Sequence, residues 1–106
     1  MMSSSRIETL KRLLEKDPNN LLGRYGLAHE YYKLDMHEEA IQAINEYLDV
    51  ADDEGAVYRM LAECYVSIGE PRKARLAYVR GIEAANRHGH PGMAEEYEEA
   101  IEFLNE

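Results

Sequence analysis

Apolar residues recur along this chain at spacings of three and four, which is the period of one face of an α-helix. Ile7, Leu10 and Leu14 begin the first such stripe, and comparable stripes follow each short polar or glycine-containing break. Six amphipathic helices are therefore predicted, at residues 4–16, 20–34, 37–51, 55–68, 71–87 and 92–105. The turns between them are short, so consecutive helices are expected to lie antiparallel as neighbours. Leu34, Ile68 and Leu104 are placed on the inner faces of their helices.

The breaks carry the signals that stop and start helices. Asp17-Pro18-Asn19-Asn20 ends the first helix and offers asparagine side chains to cap the second. Asp52-Asp53 places acidic groups where the fourth helix begins, as the helix dipole prefers. Gly69 ends that helix, and Pro71 suits the first turn of the next because no N–H is needed there.

Two stretches of the chain repeat each other at an offset of 34 residues. A period of 34 is a signature of helix-turn-helix repeats, which stack to bury faces that a single hairpin cannot cover alone. The small residues let the two helices of a hairpin approach closely, and the larger ones fill the space between hairpins. The matching positions are Leu27/Leu61, Ala28/Ala62, Tyr31/Tyr65, Ala40/Ala74, Ala43/Ala77 and Ala51/Ala85.

The repeated residues resemble the tetratricopeptide pattern W-x2-L-G-x2-Y followed by A-x3-F. The first copy has Arg24-x2-Leu27-Ala28-x2-Tyr31 and Ala40-x3-Ile44, and the second has Tyr58-x2-Leu61-Ala62-x2-Tyr65 and Ala74-x3-Tyr78. The resemblance implies one all-α domain over residues 1–106, built of three stacked antiparallel helical hairpins in a segment of right-handed superhelix. It assigns 4–16 to a half-repeat, 20–51 and 55–87 to two full repeats, and 92–105 to a capping helix.

The sequence departs from that pattern at several positions. Arg24 stands where a bulky aromatic residue is usual, and Asp35 replaces the turn glycine. Tyr47 and Gly81 occupy a site that usually holds alanine. At Arg24, either that edge of the first repeat is expected to pack more loosely, or the arginine stem takes over the packing.

The resemblance also implies function, because in this family the first helix of each hairpin lines a concave groove for a peptide or partner helix. A non-catalytic interaction module, acting as a scaffold or adaptor, is therefore expected. Tyrosine, methionine and cationic residues at the predicted groove favour an acidic-plus-apolar peptide segment. An ordinary solvated helix face is the alternative. The groove residues are Tyr25, His29, Tyr32 and Lys33 on the second helix and Arg59, Met60 and Glu63 on the fourth.

A subgroup of the family grips C-terminal carboxylates with a Lys/Asn/Arg clamp. Tyr25, His29 and Met60 stand at the matching positions. The clamp is therefore absent, and binding to chaperone tails is not expected.

A second class of function is self-association as a homodimer. The outer edge of the first helix, around Ile7 and Leu14, would be exposed if the helix does not roll onto the second helix as a cap.

Composition narrows the setting in which the chain works. A formal net charge of −9, from 21 acidic and 12 basic residues, opposes nucleic-acid binding. The chain has no apolar run of the roughly 20 residues that cross a membrane and no secretory signal pattern. The single Cys64, expected as a buried structural thiol, fits a reducing, cytoplasmic setting.

The sequence has no nucleotide-binding or hydrolase motif, so neither catalysis nor a cofactor is predicted. His88 and His90, followed by Glu95 and Glu96, have the donor types that suit Zn²⁺. They fall in a Gly/Pro break with no defined ligand geometry, and a polar linker is the favoured interpretation there.

Overall fold

The computed structural model describes residues 2–104, with side chains from residue 6 onward, and places six α-helices in that range. The all-α prediction is confirmed. The chain divides into two compact units, Met1–Asp52 and Asp53–Glu106. The first contains α1 (Met2–Lys16), α2 (Leu21–Lys33) and α3 (His37–Val50), and the second contains α4 (Ala56–Ser67), α5 (Pro71–Arg87) and α6 (Pro91–Glu102).

The ends of the helices account for the differences from the predicted bounds. Leu34 and Ile68 follow the last residues of α2 and α4, and each is 39% exposed, so the prediction that they face inward is wrong. α6 ends at Glu102, with Phe103 as its C-cap. Leu104 therefore lies beyond the helix that was expected to carry it, and residue 105 falls outside the described residues.

Side chains fix where two of the helices begin. The Asn20 Oδ1 accepts the N–H of Gly23 at 2.8 Å, which confirms the predicted cap of α2. At α4 the Asp53 Oδ2 accepts the N–H groups of Gly55 at 2.9 Å and Val57 at 3.0 Å. The first N–H groups of a helix have no partner within it, so these oxygens determine its starting residue.

Three helices end in one and the same kind of turn, with a residue in the left-handed region. Asp35, Gly69 and Gly89 have φ values of 57°, 79° and 78°. The next N–H in each turn donates to a carbonyl five residues earlier, which satisfies an end of the helix. These bonds are Met36 to Tyr31 at 3.0 Å, Glu70 to Tyr65 at 2.8 Å and His90 to Ala85 at 2.7 Å.

A Cβ atom is disfavoured at positive φ, so the backbone of Asp35 is strained. Gly69, the equivalent residue 34 positions later, has no Cβ and is not strained. Asp35→Gly is expected to raise the free energy of unfolding by about 0.5–1 kcal/mol, and Gly69→Asp to lower it by a similar amount. Urea denaturation followed by circular dichroism measures both. Equal signs for the two substitutions would contradict the explanation.

In the first unit, glycines on α2 bring α1 close to it. A Cβ built on Gly23 would lie 3.1 Å from the Cδ2 atoms of Leu13 and Leu14. One built on Gly26 would lie 3.3 Å from the Cδ2 of Leu10. Because Gly23 and Gly26 have no side chains, the leucines of α1 can pack closely against α2 at these positions.

This packing agrees with one of the two alternatives for the first helix, in which it rolls onto the second helix as a cap, and contradicts the exposed edge. Ile7 and Leu14 are buried, at 9% and 8% exposure, because α1 lies against the glycine face of α2. Only Leu13 among the large apolar side chains described on α1 is clearly exposed, at 40%. The surface invoked for self-pairing is thus already covered within the chain.

In the second unit, one tyrosine joins α4, α5 and α6. The ring of Tyr97 on α6 lies over Gly81 on α5, where a Cβ would be 2.6 Å from the tyrosine Cε2 and 2.9 Å from the Cβ of Tyr58. Its hydroxyl donates to the carbonyl of Gly55 at 2.7 Å. Tyr97 is 1% exposed and is the largest fully buried side chain among the described residues.

Candidate functional site

An aromatic cluster formed by Tyr25, His29, Tyr32 and Tyr47 lies on α2 and α3. The rings of Tyr25 and His29 stack with centroids 5.8 Å apart, and His29 and Tyr32 are 6.3 Å apart. Tyr47 from α3 meets Tyr25 edge-on at 5.6 Å. Spacings of four and three along α2 place the first three rings on one face of the helix.

The aromatic cluster is accessible to a ligand. Tyr25 is 37% exposed, and His29 and Tyr32 are half-buried. Leu22, one turn before Tyr25, is 85% exposed, the largest value among the large apolar side chains that the structure describes. α2 therefore presents an apolar and aromatic strip, and this strip includes Tyr25, His29 and Tyr32, three of the four residues that the sequence analysis placed on this helix as groove residues.

Lys33, the fourth of those residues, is engaged within the chain. Its Nζ lies 3.5 Å from the Oε2 of Glu30, and the same oxygen accepts the Nε–H of Arg6 at 3.1 Å. Glu30 is only 4% exposed. A buried carboxylate needs a countercharge, so part of the positive charge expected to face an acidic ligand is used to neutralise Glu30.

The burial of Glu30 was missed in the sequence, although the repeat held a signal for it. The 34-residue offset places Glu30 at the position of Cys64, which is buried at 1% exposure. A charged residue aligned with an interior position has to find partners of opposite charge. The tertiary partner Arg6, in contrast, has no counterpart in the repeat pattern.

Arg59, Met60 and Glu63 lie on α4 in the second unit. The Nη2 of Arg59 donates to the Oε2 of Glu96 at 2.9 Å, and its guanidinium lies 5.5 Å from the ring centroid of Tyr97. Glu63 is half-buried. Arg59 thus holds α6 against α4, and its charge is shared with a carboxylate of the chain itself.

Met60 was predicted as an accessible apolar anchor, and the structure corrects this. The side chain is 8% exposed. Its equivalent in the first repeat is Gly26, which faces Leu10 of α1 in the first unit. The register position is therefore an interior one in which a large apolar side chain is buried rather than presented.

Arg24, at the position of the usual aromatic residue, forms a structural contact. Its Nε donates to the carbonyl of Pro18 at 2.8 Å, and its Nη1 lies 3.4 Å from the Oε1 of Glu46. The guanidinium of Arg24 therefore ties the loop before α2 to α3, and Arg24 is not part of the aromatic cluster.

The histidine pair in the last turn does not assemble with the acids that follow it. The Nε2 of His90 lies 2.6 Å from the Oε1 of Glu54, in the segment before α4. The hydrogen bond and the charge of His90, with a smaller contribution from His88, lower the pKa of Glu54. Within residues 2–104 no three His, Cys, Asp or Glu side chains group in a way that could hold a metal ion.

Burial of two tyrosines makes the second unit sensitive to alkali. Desolvation raises the pKa of Tyr78, with the Glu63 carboxylate acting in the same direction, and desolvation likewise raises the pKa of Tyr97. The folded state holds these protons more tightly than the unfolded state, so their contribution to stability is complete below pH 10.0 and is lost as pH rises through the folded pKa values.

Thermal unfolding measured from pH 8 to above pH 11 is therefore expected to show a steeper alkaline fall for the wild type than for Tyr78→Phe/Tyr97→Phe. Equal slopes for the two proteins would show that these phenols do not couple to folding.

The chain is similar to a family of repeat proteins and to a subunit of a protein complex. A family model described as tetratricopeptide repeat matches residues 7–62. Anaphase-promoting complex subunit 3 of Dictyostelium discoideum is 29% identical over 68 residues, which cover 64% of this chain and 7% of that protein. The chain therefore spans less than a tenth of that relative's length. No solved structure matches the chain at a significant level.

None of the helices in the described part of the chain combines the length and the apolar character that crossing a membrane requires.

Proposed function

The chain belongs to the tetratricopeptide repeat family, and from that premise we propose that it binds a peptide or a helix of another protein through the aromatic cluster on α2. Proteins of this family generally mediate protein–protein interaction without catalysis. The proposal extends this general role to a particular surface of this chain. The aromatic cluster carries it, together with the exposed Leu22 beside it.

The physical chemistry of the aromatic cluster favours a largely apolar contact. Tyrosine supplies a large, rigid contact area at a small cost in side-chain entropy and is enriched at binding hot spots. Tyr25 is already held by His29 on one side and by Tyr47 on the other, so little further ordering is required when a ligand docks. Leu22 adds an apolar contact one turn away.

Charge at the predicted groove residues has a smaller role in this proposal. An acidic ligand would compete with Glu30 for Lys33 and with Glu96 for Arg59. Met60 is buried, so Arg59 and Glu63, both in the second unit, are the residues of the α4 set that are still proposed as contacts. The apolar part of the ligand is therefore expected to contribute most of the affinity.

The relative's name supports a role in a protein assembly. Its name describes a subunit of the anaphase-promoting complex, a complex of several proteins. We propose that the present chain acts as a scaffold or adaptor in the same general sense, in the cytoplasm and without catalysis.

Removing the exposed apolar contacts of α2 is expected to abolish capture of partners. Leu22→Ala/Tyr25→Ala should reduce the amount of each specifically captured protein by about tenfold or more, because hot-spot truncations commonly cost more than 2 kcal/mol. The measurement is quantitative mass spectrometry of proteins retained from an extract of the native cells, followed by titration of the purified partner.

Val66→Ala on α4 is a suitable control, because Val66 is 49% exposed and lies outside the predicted groove residues. It should leave capture unchanged, and circular dichroism should show both variants folded. Unaltered capture and titration by Leu22→Ala/Tyr25→Ala would overturn the proposed site.

A further inference from the structure

A second surface of the chain, independent of the aromatic cluster, lies in a groove between α4 and α5. Its volume is about 460 Å³. Leu61 and Tyr65 of α4 form one side, and Lys73, Leu76, Ala77, Val79, Arg80 and Glu83 of α5 form the other, so two bases and one acid line the groove. We call this the basic groove.

The first repeat contains the same groove with different side chains. Leu27, Tyr31, Glu39, Gln42 and Glu46 line a space of about 320 Å³, to which α1 contributes Lys11. The 34-residue offset relates five of these lining residues to Leu61, Tyr65, Lys73, Leu76 and Arg80. The leucine and the tyrosine of the first helix are therefore the same in both copies. On the second helix, Glu39, Gln42 and Glu46 of the first copy are replaced by Lys73, Leu76 and Arg80 in the second.

The change of charge extends along the whole of both helices. α3 has four acidic residues and no lysine or arginine, a formal charge of −4. α5 has five lysine or arginine residues and one glutamate, a formal charge of +4. In a chain of net charge −9, five of the 12 basic residues thus lie on one helix. Such a concentration favours a partner of opposite charge.

The cations of the basic groove are held in place and still available. The Nζ of Lys73 lies 6.0 Å from the ring centroid of Tyr65, and the guanidinium of Arg80 lies 5.2 Å from that of Tyr58. Throughout the described part of the chain neither side chain has a carboxylate within ion-pair distance. In this they differ from Lys33 and Arg59, whose carboxylate partners lie within the chain.

The groove also exposes apolar surface between its two cations. Leu76 is 62% exposed and Val79 is 39% exposed. Lys73 and Arg80 are seven residues apart, so they stand about 10 Å apart along the axis of α5. A ligand that satisfies all four side chains carries two carboxylates at a matching separation with aliphatic groups between them.

We propose that the basic groove docks an acidic amphipathic helix of a partner protein, with carboxylates seven residues apart facing Lys73 and Arg80 and aliphatic side chains covering Leu76 and Val79. The same seven-residue spacing on a helix gives the required separation without distortion. The acidic-plus-apolar ligand predicted for the α2 and α4 residues is thereby assigned to α5.

The test uses a labelled helical peptide of 18 residues with glutamates at two positions seven apart and leucines between them on the same face, titrated by fluorescence anisotropy at low salt. A matched peptide has glutamine in place of both glutamates. The glutamate peptide is expected to bind at least about tenfold more tightly, and raising the salt concentration should weaken its binding.

The first repeat indicates which substitutions to make in the basic groove. Lys73→Glu/Leu76→Gln/Arg80→Glu gives the basic groove the residues that the first repeat holds at the same positions, so it is expected to fold, and circular dichroism checks this. It should weaken binding of the glutamate peptide by about tenfold or more. Arg12→Glu/Lys16→Glu on α1 changes the net charge by the same amount outside the groove and should leave binding unchanged.

Several outcomes would overturn the proposal. Equal loss in the α1 variant would show that net charge alone governs binding. Equal affinity for the two peptides, or no binding of either peptide, would show that the basic groove does not recognise carboxylates. Salt-sensitive dimerisation in light scattering that disappears in the groove variant would assign the surface to a second copy of this chain, and binding to phosphatidylserine vesicles in preference to the peptide would assign it to a membrane.

These results are separable from the proposed function. The Leu22→Ala/Tyr25→Ala protein should bind the glutamate peptide as the wild type does, because its changes lie on α2 in the other unit. Loss of peptide binding in that protein would contradict the independence of the two surfaces.

Discussion

Replacing Tyr97 by alanine is expected to lower the free energy of unfolding by about 3–5 kcal/mol, the range for removing a fully buried aromatic ring. The ring is 1% exposed, packs 5.4 Å from that of Tyr78 and fills the space over Gly81. Its removal leaves a cavity at the junction of α4, α5 and α6. Domains of this size have about 5–15 kcal/mol in total, so the loss is a large share of the stability.

Tyr97→Phe separates the ring from its hydroxyl. The hydrogen bond to the carbonyl of Gly55 is buried, so leaving that oxygen unsatisfied should cost about 1–3 kcal/mol, less than the alanine change. Urea denaturation of the wild type and both variants, followed by circular dichroism, measures the difference. A loss below about 1 kcal/mol for Tyr97→Ala would contradict the packing described for α6.

Gly81→Ala should also destabilise the protein, by about 1–3 kcal/mol, although alanine is the better helix former by about 1 kcal/mol. The new Cβ would lie 2.6 Å from the ring of Tyr97 and 2.9 Å from the Cβ of Tyr58, closer than van der Waals contact allows. α6 would have to move away from α5, and the bond from Tyr97 to Gly55 would lengthen.

Gly92→Ala is the matched control, because no heavy atom lies within 4 Å of a Cβ built there. It should be neutral or stabilising by up to about 1 kcal/mol. In the Tyr97→Ala background the penalty of Gly81→Ala should be smaller, since the clash with the ring is gone while the 2.9 Å approach to the Cβ of Tyr58 remains. A penalty of the same size in both backgrounds would place the strain elsewhere.

The sequence was sufficient to predict the six helices, because their apolar spacing and turn residues are local signals. Asn20 could be predicted as a cap since it immediately precedes an apolar stripe, and it accepts the N–H of Gly23 as expected. The left-handed turn at Asp35 follows from its alignment with Gly69. Each of these features follows from the local sequence or from aligning the two repeats.

The tertiary partners of the candidate site could not be predicted in the same way. Lys33 and Arg59 were expected to face a ligand, but Glu30 and Glu96 hold them, and Glu96 lies outside the repeated stretches. Burial of the edge at Ile7 was one of two alternatives that the sequence left open, because the glycine face of α2 on which α1 packs leaves no apolar pattern that decides between them. The alignment of the two repeats, in contrast, already shows the change from Glu39 to Lys73 that distinguishes the basic groove.

Photo-crosslinking tests the central claim, that α2 binds another protein through its exposed aromatic face, most directly. The chain is expressed in its native cells with p-benzoylphenylalanine at position 22 or, as a control, at position 66; both native side chains are exposed. The account predicts defined cross-linked partners from position 22 that disappear when Tyr25→Ala is added, and none of these partners from position 66. Identical cross-links from both positions, or cross-links from position 22 that persist with Tyr25→Ala, would contradict it.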